Sequence, residues 1–319
     1  MTEPHPFTET YLEGPQGTKF LTRTYAPESP LAVLVFVHGF VDHVRRYTSF
    51  HGSLAKNGLA IFAYDQRGFG RTALDEKGKA RKEPWNRGYA KTSWKEQLED
   101  IEWAVRRAHE TFPDLPLFLA GHSMGGGLAI AFNTRGASTP PSAAAVSLIS
   151  GVIGMSPLLR QTHPASSIQK WIGAKLSRVM PYMVIPAPVN LDHLSHNPAV
   201  VKSTGSDPLA PYVGSLRGLS DMLDGGELLV TRDYKNWPAD RPLVIFHGTA
   251  DQVTDPKASQ EFIDRVPTKD KKLVLYEGSY HEVWHDTIPE GIAEQMINDV
   301  TEWVKERASA RAKTPDAKL

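Results

Sequence analysis

Short apolar runs, scarcely broken by polar residues, recur along the chain and leave few folds open to it. They are Leu31–Val37, Leu59–Tyr64, Leu117–Ala120, Ala144–Ile149, Pro242–Phe246 and Lys272–Tyr276. Each is too short for an ordinary helix, and none alternates apolar with polar as a strand wetted on one face does. They read as strands buried on both faces. Between them, helical patterns fall near 45–57, 92–111, 124–135, 257–265 and 289–307. Ser93 and Glu96 form a capping-box pattern just before the periodic Leu98, Ile101, Val105 and Ala108. Strands alternating with helices imply an α/β chain, a mostly parallel central sheet with helices on both faces.

The alternation fails between Gly151 and about Glu227, where prolines crowd at 157, 164, 181, 186, 188, 198, 208 and 211. Residues 151–227 therefore read as an insertion lying over the sheet, with 1–150 and 228–319 forming the core. Within it, Ile168, Trp171, Ile172, Leu176, Val179 and Met180 recur at helical spacing beside Lys170, Lys175 and Arg178. Such a basic amphipathic helix either rests on lipid or packs its apolar stripe on the core. Both readings stand. The tail Ala308–Leu319 is polar and expected to fray.

With 36 basic and 36 acidic residues the formal net charge is zero. No global field draws the chain to nucleic acid. It has no cysteine, which excludes disulfides, thiolate metal sites and a cysteine nucleophile, and fits a reducing compartment. The first residues lack the basic start and apolar stretch of a signal peptide, and the longest apolar run, seven residues, falls short of the roughly 20 a spanning helix needs. The expectation is a cytoplasmic protein, at most peripheral on membranes or lipid droplets.

Gly121-His-Ser-Met-Gly125 matches G-x-S-x-G. The pattern alone arises by chance in about one chain in ten of this length. Its position is more telling, since it follows the run Leu117–Ala120 and opens a helix. There a sharp turn lifts the central hydroxyl out of the sheet, with the helix N-terminus aimed at it. Ser123 is the candidate nucleophile. An oxyanion needs two donors, and the backbone N–H groups of Met124, next to Ser123, and of Phe40, in the turn after Leu31–Val37, are the candidates. His38 reads as a structural histidine of that turn.

In this kind of sheet the acid and base follow the nucleophile in the order carboxylate, then histidine. Asp251 lies just past the strand Pro242–Phe246; Asp255, beside Pro256, reads instead as a helix start. His281 and His285 follow the next strand, and His281 is nearer its end. His281-Glu-Val-Trp-His285 also spells H-E-x-x-H, a zinc pattern, but no helix or third ligand accompanies it. The expectation is a triad of Ser123, Asp251 and His281 with no metal and no cofactor. Met155, Leu158 and Leu159, past the fourth run, are candidates either for an acyl path or for ordinary core.

Taken together, these motifs resemble those of monoacylglycerol lipases of the yeast and mammalian type, within the α/β-hydrolase superfamily. The resemblance runs from about Leu21 to Arg307 through His38-Gly39 with Arg46-Tyr47, Asp65-Gln-Arg-Gly-Phe-Gly70, Gly121-His-Ser-Met-Gly-Gly126, Ser206-Asp-Pro-Leu209, His247-Gly-Thr-Ala-Asp251 and Tyr276-Glu-Gly-Ser-Tyr-His281. It implies an α/β-hydrolase core under a helical cap, 151–227, with a buried acyl tunnel, cleaving monoacylglycerols or similar acyl esters to fatty acid and glycerol through an acyl-serine. It also implies that Asp42 and Arg46 organise the polar head of the substrate, and it sets Thr204 where mammalian members carry a Tyr near the glycerol. The family's first turn usually reads His-Gly-x-Gly-Glu, whereas here it is His38-Gly39-Phe40-Val41-Asp42. Lysophospholipases and general carboxylesterases would keep the same triad, and a non-catalytic ligand receptor could keep the same architecture.

Overall fold

The computed structural model describes residues 6–135, 140–164 and 175–312. Strands β1 (Thr8–Glu13), β2 (Lys19–Tyr25) and β3 (Ala32–Val37) precede helix α1 (Thr48–Lys56) and strand β4 (Leu59–Tyr64). A single helical turn, α2 (Gly70–Ala73), and the long α3 (Trp94–Thr111) lead to β5 (Leu117–His122), α4 (Met124–Thr134), α5 (Ala143–Ser147) and β6 (Ile149–Met155). A small antiparallel pair, β7 (Val184–Pro186) and β8 (Val213–Ser215), brackets α6 (Pro198–Gly205). The chain closes with α7 (Leu216–Thr231), β9 (Leu243–Gly248), α8 (Pro256–Arg265), β10 (Lys271–Tyr276) and α9 (Ile292–Ala312).

The main sheet has eight strands in the order β1-β2-β4-β3-β5-β6-β9-β10. From β4 to β10 every neighbour pairs in parallel, and only β2 runs against the rest, antiparallel to both β1 and β4. Successive side chains of a strand point to opposite faces, so β3 feeds two cores. Val33, Val35 and Val37 join a cluster with Leu98 and Ile101 of α3 and Leu128 of α4. Leu34 and Phe36 join Phe50 of α1 and Trp303 of α9 on the other face. Burial of each such side chain stabilises the fold by roughly 1.5–3 kcal/mol, which is why the central runs carry no polar residue.

Two expectations are corrected. Ala144–Ile149 is not a strand. Its alanines form α5, capped by Ser142, whose Oγ accepts the Ala145 N–H at 3.2 Å, and alanine is the strongest helix former. The strand follows at Ile149–Met155, thinned in sequence by Gly151 and Gly154. The sheet thus runs to Met155, four residues beyond the expected boundary at 151, and α7 spans the other boundary at 227–228. The second correction concerns Ala308–Ala312, expected to fray, which continues α9. The periodicity at 168–172 lies outside the described residues.

Candidate active site

Four parallel strands deliver the candidate residues at their C-terminal ends, where ligands sit in sheets of this kind. β5 ends at His122, and Ser123 follows with φ 53° and ψ −121° before α4 begins at Met124. Few non-glycine residues adopt a positive φ. Packing enforces it here. A Cβ on Gly121 would stand 2.2 Å from the carbonyl oxygen of Gly125, and one on Gly125 would stand 2.1 Å from that of Val37. The Ser123 backbone is also pinned at both ends. Its N–H donates to the Met155 carbonyl at 2.9 Å, and its carbonyl accepts the N–H groups of Leu158 at 2.8 Å and Gly127 at 3.0 Å.

The turn after β3 closes onto this serine. A Cβ on Gly39 would lie 3.3 Å from the Cβ of Ser123. Phe40 follows directly, and among the described residues neither its N–H nor that of Met124 has a hydrogen-bond partner. Met124 is the first residue of its helix, where an N–H has no intrahelical acceptor. His38 is fully buried and structural, as expected. Its Nδ1–H donates to the Gly39 carbonyl at 2.8 Å, and its Nε2 accepts the Gln66 N–H at 2.8 Å.

Asp251 and His281 meet from β9 and β10. The His281 Nδ1–H donates to Asp251 Oδ2 at 2.7 Å. That leaves Nε2 as the basic nitrogen. Asp251 is almost fully buried and saturated. Its Oδ1 accepts the N–H groups of Val253 at 2.7 Å and Thr254 at 3.0 Å, and its Oδ2 also accepts the Thr254 hydroxyl at 2.8 Å and His247 Nε2–H at 3.1 Å. Burial by itself would raise the carboxyl pKa. The charges and hydrogen bonds of His281 and His247 outweigh it and hold Asp251 ionised, far below the usual carboxylate range. Asp255 is the N-cap of α8, accepting the Lys257 N–H at 2.9 Å.

Ser123 and His281 line one cavity together with Gly39, Phe40, Asp42 and Arg46. The model of a family described as "Serine aminopeptidase, S33" (Hydrolase_4) matches residues 28–288. A "Putative monoglyceride lipase" of Schizosaccharomyces pombe is 33% identical over 288 residues, 89% of this chain and 70% of that protein. The chain belongs to the monoglyceride lipase family of α/β-hydrolases. The "Monoglyceride lipase" of Saccharomyces cerevisiae is 29% identical over 290 residues, 88% of this chain and 86% of that one. A crystal structure of a soluble variant of that enzyme in complex with a substrate analog superposes with a TM-score of 0.81, at 27% identity and 96% coverage of both chains.

Among the residues expected to bind substrate in this family member, Asp42, Arg46 and Leu158 line the cavity. Met155, Leu159 and Thr204 are not among its lining residues. Met155 faces the core packed under α1 and α9, and Leu159 the opposite core. Thr204 is buried, and its hydroxyl accepts an Arg46 N–H at 2.9 Å. Arg46 is otherwise spent on Glu282, at 2.7 and 2.9 Å, and reaches Asp42 at 3.4 Å. Burial would lower the Arg46 pKa, but the Glu282 and Asp42 charges outweigh it and raise it; Glu282 in turn is held below the carboxylate range, chiefly by Arg46 against its own burial.

Several residues of the site were missed in the sequence. Tyr47 donates its hydroxyl to Asp42 at 2.5 Å and lies 2.9 Å from Nδ1 of His122, whose ring centroid is 4.6 Å from that of His281. Tyr47 stands beside Arg46 in the motif, which was the available signal. Glu282 was read only as the acid of a zinc pattern. The pattern is divided instead, with His281 on Asp251 and His285 Nδ1 on Glu282 at 3.0 Å. His247, the second support of Asp251, sat in plain view four residues before it. Gln161 and Tyr212 also line the cavity, and no sequence signal marked them.

Proposed function

We propose that the chain hydrolyses monoacylglycerols to fatty acid and glycerol, with Ser123 as nucleophile, His281 as base and Asp251 as its orienting carboxylate. The observation that carries the reading is the 2.7 Å hydrogen bond to buried Asp251 from His281, which lines the cavity that the strained Ser123 shares. His281 Nε2 takes the Ser123 proton as Oγ attacks the ester carbonyl. The N–H groups of Phe40 and Met124 receive the oxyanion, the protonated imidazole gives its proton to the leaving alcohol, and His281 then activates water against the acyl-serine. Asp251 holds the imidazole tautomer and stabilises its charged form. Apolar lining from Leu158, Leu194, Met222 and Val253 suits an acyl chain.

We assign the described residues between β6 and α7, 156–164 and 175–215, to a cap over the site. Val189, Leu194 and Tyr212 of this stretch line the Ser123 cavity, and His43 Nε2, 2.8 Å from Asp207 Oδ2, ties it to the turn after β3. No helix among the described residues is long and apolar enough to cross a membrane. A cytoplasmic setting fits the cysteine-free sequence. Contact with a membrane or lipid droplet through the cap is supported by a run of exposed apolar side chains, Leu176, Val179, Met180, Tyr182 and Val184, beside exposed Lys175 and Arg178.

Ser123→Ala should fold with unchanged thermal stability and lose monoacylglycerol hydrolysis by several orders of magnitude. A panel of mono-, di- and triacylglycerols, a lysophospholipid and p-nitrophenyl esters, read by fatty-acid release, tests the substrate class. Retention of near-native activity by Ser123→Ala would exclude the nucleophile, and equal rates across the glycerides would exclude the monoacylglycerol preference.

A further inference from the structure

Apart from Ser123, His281 and the neighbouring His122, the polar side chains that line the cavity fall into two sets. Asp42, Arg46 and Glu282 are bound to one another, to Tyr47 and to Thr204. They have little capacity left for a ligand. Gln161 and Tyr212 are different. Both line the cavity, yet among the described residues neither the Gln161 amide nor the Tyr212 hydroxyl has a hydrogen-bond partner. Neither is an inaccessible orphan atom, so both are open to whatever occupies the cavity.

Their backbones are fixed. Gln161 follows β6 and forms a β-bridge with Thr254, the residue that donates to Asp251. Tyr212 directly precedes β8, and its carbonyl accepts the Ala187 N–H at 2.9 Å. Its ring packs, half-buried, against the α3–α4 core. Burial pushes its phenol pKa up to about 12, with Asp42 and Glu282 adding to the rise and Arg46 opposing it. The side chain is therefore a neutral O–H at physiological pH, able to donate and accept at once. A carboxamide and a phenol, both uncommitted and set beside the candidate catalytic residues, apolar side chains and paired charges, suit a neutral polyol rather than an ion.

We infer that Tyr212 and Gln161 bind the free hydroxyls of the leaving alcohol and so set the preference for a glycerol head group over a simple alkyl ester. The inference rests on the monoacylglycerol reading above. A monoacylglycerol brings two free hydroxyls into the cavity, and a methyl ester of the same acid brings none. An unmade hydrogen bond between neutral partners weakens binding by about three- to tenfold.

The test compares kcat/KM for monolauroylglycerol and methyl laurate in the wild type, Tyr212→Phe and Gln161→Leu, with thermal stability measured in each. The ratio of monolauroylglycerol to methyl laurate should fall about three- to tenfold in either variant, mainly through KM. Should Gln161→Leu fold poorly, Gln161→Met, which also lacks the amide, carries the same comparison. A ratio unchanged in both variants, or equal losses on both substrates, overturns the inference while the wild type still hydrolyses monolauroylglycerol. A wild type that cleaves methyl laurate and not monolauroylglycerol overturns the underlying reading instead.

Discussion

Val41 sits one residue past the candidate oxyanion donor Phe40 with φ 50°, where the family pattern usually has glycine. A β-branched side chain in this region is strained by roughly 1–3 kcal/mol. It is also almost fully buried and joins the core under α3, which returns roughly 1.5–3 kcal/mol. The two effects nearly cancel, so a tight turn can hold valine where relatives hold glycine. Val41→Gly should therefore change unfolding free energy by no more than about 2 kcal/mol, because relief of strain offsets lost burial. Val35→Gly, in the middle of β3 with no strain to relieve, should cost at least about 3 kcal/mol. Urea denaturation of both variants checks this; equal losses would show that Val41 is not strained.

At the scale of elements, long periodic helices and buried strands were readable, and elements whose composition conflicts with their place were not. Ser93 caps α3 as expected, its Oγ accepting the Glu96 N–H at 3.3 Å and donating to the Glu96 carboxylate at 2.9 Å. β1 and β2 escaped notice because β1 is an exposed edge strand, Thr-Glu-Thr-Tyr-Leu-Glu, with no apolar run to mark it. β6 escaped because its glycines dilute it while the alanines before it mimic a strand. The segment from Lys175 to Val184 shows the reverse. Val179 is 80% exposed, so the described part of the amphipathic patch presents its apolar side chains to solvent. If this edge rests on lipid, replacing Val179 and Met180 together by Asp should reduce co-flotation with phosphatidylcholine–phosphatidylserine vesicles several-fold while leaving hydrolysis of a soluble p-nitrophenyl ester intact. Unchanged flotation would sink the membrane assignment.

The whole molecule carries a titratable group at the centre of one core. His51 of α1 is fully buried, stacked on Tyr47 at 5.6 Å and edge-on to Phe36 at 4.6 Å, with no hydrogen-bond partner for either ring nitrogen. Burial, aided by Arg23, lowers its pKa from 6.5 to about 3. The folded state keeps it neutral, and the unfolded chain protonates it below pH 6.5. Stability therefore falls as pH drops from about 6.5 to 3, by up to about 1.4 kcal/mol per pH unit from this group alone. Asp251 and Glu282 act in the same direction at lower pH, since their depressed folded pKa values contribute stability that is lost as the carboxylates protonate. His51→Phe should shift the acid-unfolding midpoint downward, most visibly between pH 6 and 4, as followed by circular dichroism. An unchanged midpoint would mean that His51 finds a partner or water in solution.

Local pattern determined the parallel sheet, the order of its elements and the serine turn, because strand burial, helix periodicity and the tight strand-to-helix turn are each written in residues close along the chain. It also singled out Asp251 and His281, because the ends of parallel strands gather on one side of a sheet whatever the loops do. Local pattern could not decide which polar groups spend themselves on one another. Arg46, Glu282, Thr204, Tyr47 and Asp42 come from three separate stretches of chain, and only folding pairs them. That pairing withdraws Thr204 from the cavity and leaves Tyr212 and Gln161 exposed to it. Hydrogen-bond saturation is a property of three-dimensional neighbours, and no spacing along the chain encodes it.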